Sequence, residues 1–93
     1  MSAFIVADIT PTDIDSLKKY SEAAGPTLEK YNGKFLAKGP IETLTGDDHS
    51  KMKIILEFPD QDSANNWYKS DEYQALIPLR DKGMDAVFHL IKP

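Results

Sequence analysis

The sequence predicts a single α+β domain in which helices cover one face of a four-stranded antiparallel sheet, with the chain order βαββαβ. Three features carry that reading. Met52–Phe58 and Met84–Ile91 alternate with a period of two, Ile14–Tyr31 carries apolar residues at helical spacing, and Pro59-Asp60 and Ser70 open a second helical region behind the third strand. With 93 residues, the chain has room for one modest core and one domain, spanning 1–93.

Ala3 to Thr10 is short and rich in strand formers, and Pro11-Thr12-Asp13 then supplies a turn and an N-cap. Ile14, Leu17, Tyr20, Ala24, Leu28 and Tyr31 fall within roughly a 120° arc of a helix. Gly25-Pro26 should kink or restart that helix, and Tyr31-Asn32-Gly33 should stop it. Lys34 to Lys38 reads as the second strand, Ile41 to Leu44 as a short extension, and Gly46-Asp47-Asp48-His49-Ser50 as the loop into the third strand, Met52 to Phe58. Asp60 caps a helix through Trp67 and Tyr68. Ser70, followed by Asp71 and Glu72, caps another that Pro78 disturbs near its end. Gly83 leads into the last strand, Met84 to Ile91. In space this order builds the ferredoxin-like sheet 4-1-3-2 with the helices on one face.

Met52, Ile54, Leu56 and Phe58, with Met84, Ala86, Phe88 and Leu90, form the face that should lie under the helices. The opposite face still carries Ile55, Val87 and Ile91, and the first strand is apolar on both sides except at Asp8. Helices can cover only one face, so the other is expected to pack against a second copy of the chain, giving a homodimer through the open sheet face.

Composition narrows the function classes. The hydrophobic fraction of 41% and charged fraction of 28% are those of a globular domain, with no linker-like tract. The net charge is −4, and Lys18, Lys19, Lys34, Lys38, Lys51 and Lys53 are scattered rather than gathered with aromatic residues, which disfavours nucleic-acid binding. There is no membrane-length apolar run and no leader-like segment, so the default expectation is a cytoplasmic protein without membrane contact. The absence of Cys removes disulfides, thiolate metal sites and a cysteine nucleophile together. No phosphate-binding loop, nucleophile elbow or HExxH is present, and no cofactor is expected.

A pattern of residues extends over nearly the whole chain: Tyr20, Pro26, Tyr31, Gly33 and Gly39, then Glu57-Phe58-Pro59, Ala64, Trp67-Tyr68, Ser70, Tyr73, Leu76-Ile77-Pro78 and Arg80. In these residues the chain resembles the family known as domain of unknown function 1330 (DUF1330). The resemblance implies a dimeric α/β barrel, a superfamily that includes cofactor-free monooxygenases, haem-degrading enzymes, isomerases and ligand-sensing modules, among which fold alone does not choose. The chain departs from the family's usual pair of glycines after the second tyrosine, reading Asn32-Gly33-Lys34, and ends His89-Leu90-Ile91-Lys92-Pro93 where a glycine often follows the last strand. The haem-degrading relatives ligate iron with a helical imidazole, where this chain offers Tyr73, Leu76 and Arg80.

The candidate ligand-binding residues are Tyr20, Tyr31, Trp67, Tyr73 and Arg80. The two tyrosines of the first helix can donate to a carbonyl or carboxylate, or simply bridge core and solvent. Trp67 can stack a planar ligand, with Tyr68 and Tyr73 nearby, although aromatic residues at helical spacing also serve as plain core. Arg80 shares a helical face with Tyr73, Leu76 and Ile77 and needs an anionic partner, either a carboxylate of the chain such as Glu57 or Asp71, or a ligand held bidentately. His89 and Glu57 are the candidate catalytic pair, on one sheet face but separated by the first strand. Asp8 should sit between Lys53 and Asp85 in a charge cluster, and Asp47-Asp48-His49 reads as a loop rather than a metal site. Two functions follow: a small-molecule-binding protein, enzymatic in the monooxygenase- or isomerase-like sense, acting on a small carboxylated or aromatic compound; or a non-catalytic ligand-sensing or structural dimeric module.

Overall fold

A computed structural model describes residues 2–93. The elements are β1 (Ala3–Pro11), α1 (Ile14–Glu29), β2 (Lys34–Pro40), β3 (Met52–Phe58), α2 (Gln61–Lys69), α3 (Asp71–Gln74), α4 (Ile77–Gly83) and β4 (Met84–Ile91). The sheet is antiparallel with the order β2-β3-β1-β4, the expected ferredoxin-like arrangement read from its other edge. Helices lie on one side only, and the molecule is a thin slab of 31 × 30 × 16 Å.

The core is where alternation placed it. Ala3, Ile5, Ala7 and Ile9 of β1 and Leu56 and Phe58 of β3 are buried beneath Tyr20, Ala24 and Leu28 of α1 and Trp67 of α2. Asp13 caps α1 by accepting from the Asp15 N–H at 3.2 Å and the Ser16 hydroxyl at 2.8 Å. Asp60 caps α2 through the Ser63 N–H at 2.7 Å. Ser70 accepts from the Tyr73 N–H and donates to the Trp67 carbonyl, so one hydroxyl joins the end of α2 to the start of α3.

Three expectations are corrected. Gly25-Pro26 does not break α1, which is continuous to Glu29. Pro26 and Glu22 are both exposed, so the carbonyl that loses its helical partner is open to water. The helix ends as foreseen, with Asn32 in the left-handed region at φ 59° and the Gly33 N–H returning to the Leu28 carbonyl. Pro78 does not disturb a helix near its end: it stands in the first turn of α4, and the helical region after Ser70 divides into α3 and α4. Ile41 to Leu44 is irregular rather than strand, and Leu44 is exposed.

Two glycines set close approaches. A Cβ on Gly33 would lie 2.5 Å from Phe58 Cε1, and one on Gly83 would lie 2.7 Å from the backbone nitrogen of Leu17. Gly83 thus lets the end of α4 abut the start of α1, where its carbonyl accepts from the Thr12 and Asp13 N–H groups. No helix among the described residues is long and apolar enough to cross a membrane.

Candidate functional site

The helices leave β2 uncovered. Nearly every residue of that strand is exposed, and a slot runs from it inward between α1 and the sheet. Its floor is Ala7, Ile9, Ile54 and Leu56, its wall Tyr20, Ala24 and Leu28, and its inner end Trp67 and Phe88. About 40 Å³ is free within it, room for an atom group the size of a water molecule. Exposed Ser21, Phe35 and Lys38 stand at the mouth.

Lys38 arrives there through a bulge. Phe35 pairs with Leu56 and Lys38 with Ile54, while Ala37 pairs with Ile55, so the extra residue between Phe35 and Ala37 shifts the register. Simple alternation from Phe35 would put Ala37 on the helix side; the bulge puts Lys38 there, its ammonium 5.8 Å from the Phe35 ring centre.

Behind the slot runs a row of hydroxyls. Tyr20 and Tyr73 hydroxyls lie 2.7 Å apart, and Arg80 Nη1 donates to Tyr73 at 3.0 Å and to Tyr68 at 3.1 Å. The Arg80 guanidinium sits 4.9 Å from the Phe88 ring centre and 5.9 Å from those of Tyr68 and Tyr73, in an aromatic cage that leaves its side chain 12% exposed. Burial works against that charge, but the hydrogen bonds to Tyr68 and Tyr73 outweigh it and hold the guanidinium above its ordinary pKa. Burial pushes both the Tyr20 and Tyr73 phenols up, so each is a neutral hydroxyl at physiological pH.

Neither carboxylate expected beside Arg80 is there. Glu57 pairs with Lys34 at 3.3 Å across the open face, and the acid that meets Arg80 is its neighbour Asp81, 3.3 Å from Nε and largely exposed. Arg80 therefore stands in a cage of rings and hydroxyls with no buried anion among the described residues.

Of the five sequence-derived ligand residues, Tyr20 and Trp67 line the slot. Tyr73 and Arg80 do not line it but touch its lining, Tyr73 through the Tyr20 hydroxyl and the Trp67 ring and Arg80 through the Phe88 ring, while Tyr31, beyond the end of α1, packs half-buried against the core. The Trp67 indole N–H donates to Thr27 at 3.1 Å, and its ring lies 4.2 Å from that of Tyr73. Phe35, Lys38 and Phe88 also line the slot, and nothing in the sequence marks them as site residues. Phe88 was visible only as a core position, and Lys38 depends on a bulge that leaves no mark in the alternation. A second, more open hollow of about 240 Å³ lies between α2 and β4, lined by Ile5, Ala64, Asn65, Tyr68, Lys69, Phe88, His89 and Leu90.

His89 and Glu57 lie on the opposite face of the sheet. Val6 is the partner of His89 and Phe4 that of Glu57, so β1 separates the two as foreseen, with a diagonal offset. The charge cluster is rearranged: Asp8 bonds Lys53, which also reaches Asp48 at 3.0 Å, and the residue opposite Asp8 on β4 is Val87 rather than Asp85. The Ser50 hydroxyl and N–H together with Lys53 hold the Asp48 carboxyl well below the usual range, which makes the 46–50 loop an anchored turn. Among the described residues no three His, Cys, Asp or Glu side chains gather as a metal site.

This geometry can bind and polarise. It offers an apolar slot with a cation at the mouth and a neutral phenol in its wall, and among the described residues no carboxylate or imidazole lines it.

Comparison with known proteins places the chain. Its fold matches that of RPA0582, a protein of unknown function from Rhodopseudomonas palustris, with a TM-score of 0.82 at 20% identity over 99% of this chain and 82% of that one. It also matches a dimeric ferredoxin-like protein of unknown function from Jannaschia sp. CCS1, with a TM-score of 0.72 at 10% identity over 100% of both chains. A third match is SnoaB, a cofactor-independent oxygenase from Streptomyces nogalater, with a TM-score of 0.71 at 10% identity over 99% of this chain and 92% of that one. At these identities the likeness is one of fold. No curated protein sequence matches significantly. Residues 2–92 match the family described as "Domain of unknown function (DUF1330)", and the chain belongs to that family.

Proposed function

We propose that the protein is a homodimeric small-molecule-binding protein whose ligand, a small carboxylated aromatic compound, enters the slot between α1 and the sheet from the β2 edge. The observation that carries this reading is the slot itself: apolar walls, Lys38 at the mouth and, in its wall, buried Tyr20, whose hydroxyl joins the Tyr73–Arg80 row. The enclosed end admits only a few atoms, so the body of the ligand lies on the shelf of exposed Phe35 and half-buried Ile54.

The reading extends to an enzyme only in part. SnoaB carries cofactor-independent oxygenation on this fold, and a monooxygenase- or isomerase-like reaction here would use Tyr20 to stabilise an enolate or phenolate oxygen. A monooxygenase-like reaction would take dioxygen as its co-substrate, and the proton removed from the substrate would pass to solvent, since His89 and Glu57 lie across the sheet.

The dimer is supported by the uncovered face. Val87 and Ile91 are 53% and 52% exposed there, beside Phe4, Val6 and Ile55, while the charges around them are already paired as Lys34–Glu57 and Asp8–Lys53–Asp48.

Trp67, the only tryptophan, lines the slot, so its emission reports occupancy. Titration with benzoate and 1-naphthoate is expected to shift that emission saturably and to raise the melting temperature. An unchanged emission and melting curve with both would leave the alternative, a non-catalytic structural dimeric module.

A further inference from the structure

We propose that the Tyr20 hydroxyl is a hydrogen-bond donor held in one direction by Arg80 through Tyr73, and that the slot therefore takes a ligand oxygen rich in lone pairs: a carboxylate, enolate or carbonyl oxygen. The inference rests on the ligand-binding reading above and names which chemical group that ligand presents at the inner end.

Each phenol has one hydrogen to give and lone pairs to receive with. Tyr73 is fully buried, and Arg80 donates into its oxygen. A guanidinium accepts nothing, so the Tyr73 hydrogen cannot return to Arg80. The Tyr20 oxygen, 2.7 Å away, is its one hydrogen-bond partner among the described residues. Tyr73 therefore donates to Tyr20. In the reverse orientation the Tyr73 hydrogen would be buried without an acceptor, with the full desolvation cost of an orphaned donor.

The Tyr20 hydrogen is then left over. Tyr20 is 8% exposed, its oxygen has no further partner among the described residues, and the residue lines the slot. Among the described residues Tyr20 is the one member of the hydroxyl row that lines the slot, so its leftover hydrogen is the donor that the row can offer to the free space of about 40 Å³. Because Arg80 polarises Tyr73 and Tyr73 polarises Tyr20 in the same sense, Tyr20 donates more strongly than an isolated phenol. An ammonium group, which has no lone pair, meets only a donor there.

Neutron diffraction from crystals of the deuterated full chain reads the arrangement directly. The Tyr73 deuteron is expected on the line to Tyr20 Oη, with the Tyr20 deuteron aimed into the slot. A Tyr20 deuteron directed at the Tyr73 oxygen would overturn the assignment. Benzoate and benzylamine, titrated by calorimetry, test the selectivity: benzoate should bind the wild type and bind Tyr20→Phe about tenfold more weakly, and benzylamine should bind neither. Equal benzoate affinity for the two proteins would also overturn the proposal. If benzoate fails to bind the wild type while the neutron map shows the deuteron in the slot, the ligand-binding reading falls and the donor assignment stands with water as its occupant.

Discussion

At the scale of single residues, Arg80 shows how a side chain's surroundings decide its role. A buried ion pair would make Arg80→Met costly, by about 3–5 kcal/mol, because a carboxylate would lose its partner. Among the described residues no buried carboxylate meets Arg80. Arg80→Met keeps much of the apolar stem but removes two hydrogen bonds to phenol oxygens and the guanidinium over the Phe88 ring, so the expected loss is about 1–3 kcal/mol by urea denaturation. The same variant should weaken the benzoate response of Trp67, since Tyr20 loses its polarising chain. A loss of 3–5 kcal/mol would instead identify an ion pair that the geometry does not show.

At the scale of elements, the helices are started by short polar side chains whose positions are plain in the sequence. Ser70 is the most connected, since its hydroxyl links the Trp67 carbonyl to the Tyr73 N–H and so orients both aromatic residues behind the slot. Ser70→Ala should cost about 1–2 kcal/mol in chemical denaturation, and a neutral effect would mean that the α2–α3 junction is held by packing alone. The Asp13 and Asp60 caps work by charge as well. Their hydrogen bonds to Ser16 and Ser63 lower their carboxyl pKa below the ordinary 3.8. The stability they contribute is fully present above that value and is lost as pH falls through the lower folded one.

At the scale of the whole molecule, the slab has one finished face and one unfinished face. Val87 lies opposite Asp8 at the centre of the unfinished face. Val87→Lys places a cation beside that carboxylate and Val87→Glu a second anion, so both should split a dimer, with the Glu variant also losing monomer stability through like-charge repulsion. Sedimentation at micromolar concentration checks this: wild-type dimer and monomeric variants are expected, and a dimer persisting in both variants would place Val87 outside the interface.

Strand alternation, the caps at Asp13, Asp60 and Ser70, and the stop at Asn32-Gly33 were legible in the sequence because each is a local signal acting over two to five residues. Together they determined the element order, the sheet topology and which face of β3 and β4 is covered. The nearness of Arg80 to Tyr73, seven positions apart, was legible as a shared helical face, but most contacts of the candidate site were not, because they join residues far apart in the chain. The Tyr20–Tyr73 bond spans 53 positions, the placement of Lys38 depends on a bulge against β3, and the cage around Arg80 draws Phe88 from the last strand. Only tertiary packing decides such contacts. A hydroxyl's partner is chosen by which other polar group is brought into the same dry space, and no local pattern carries that information.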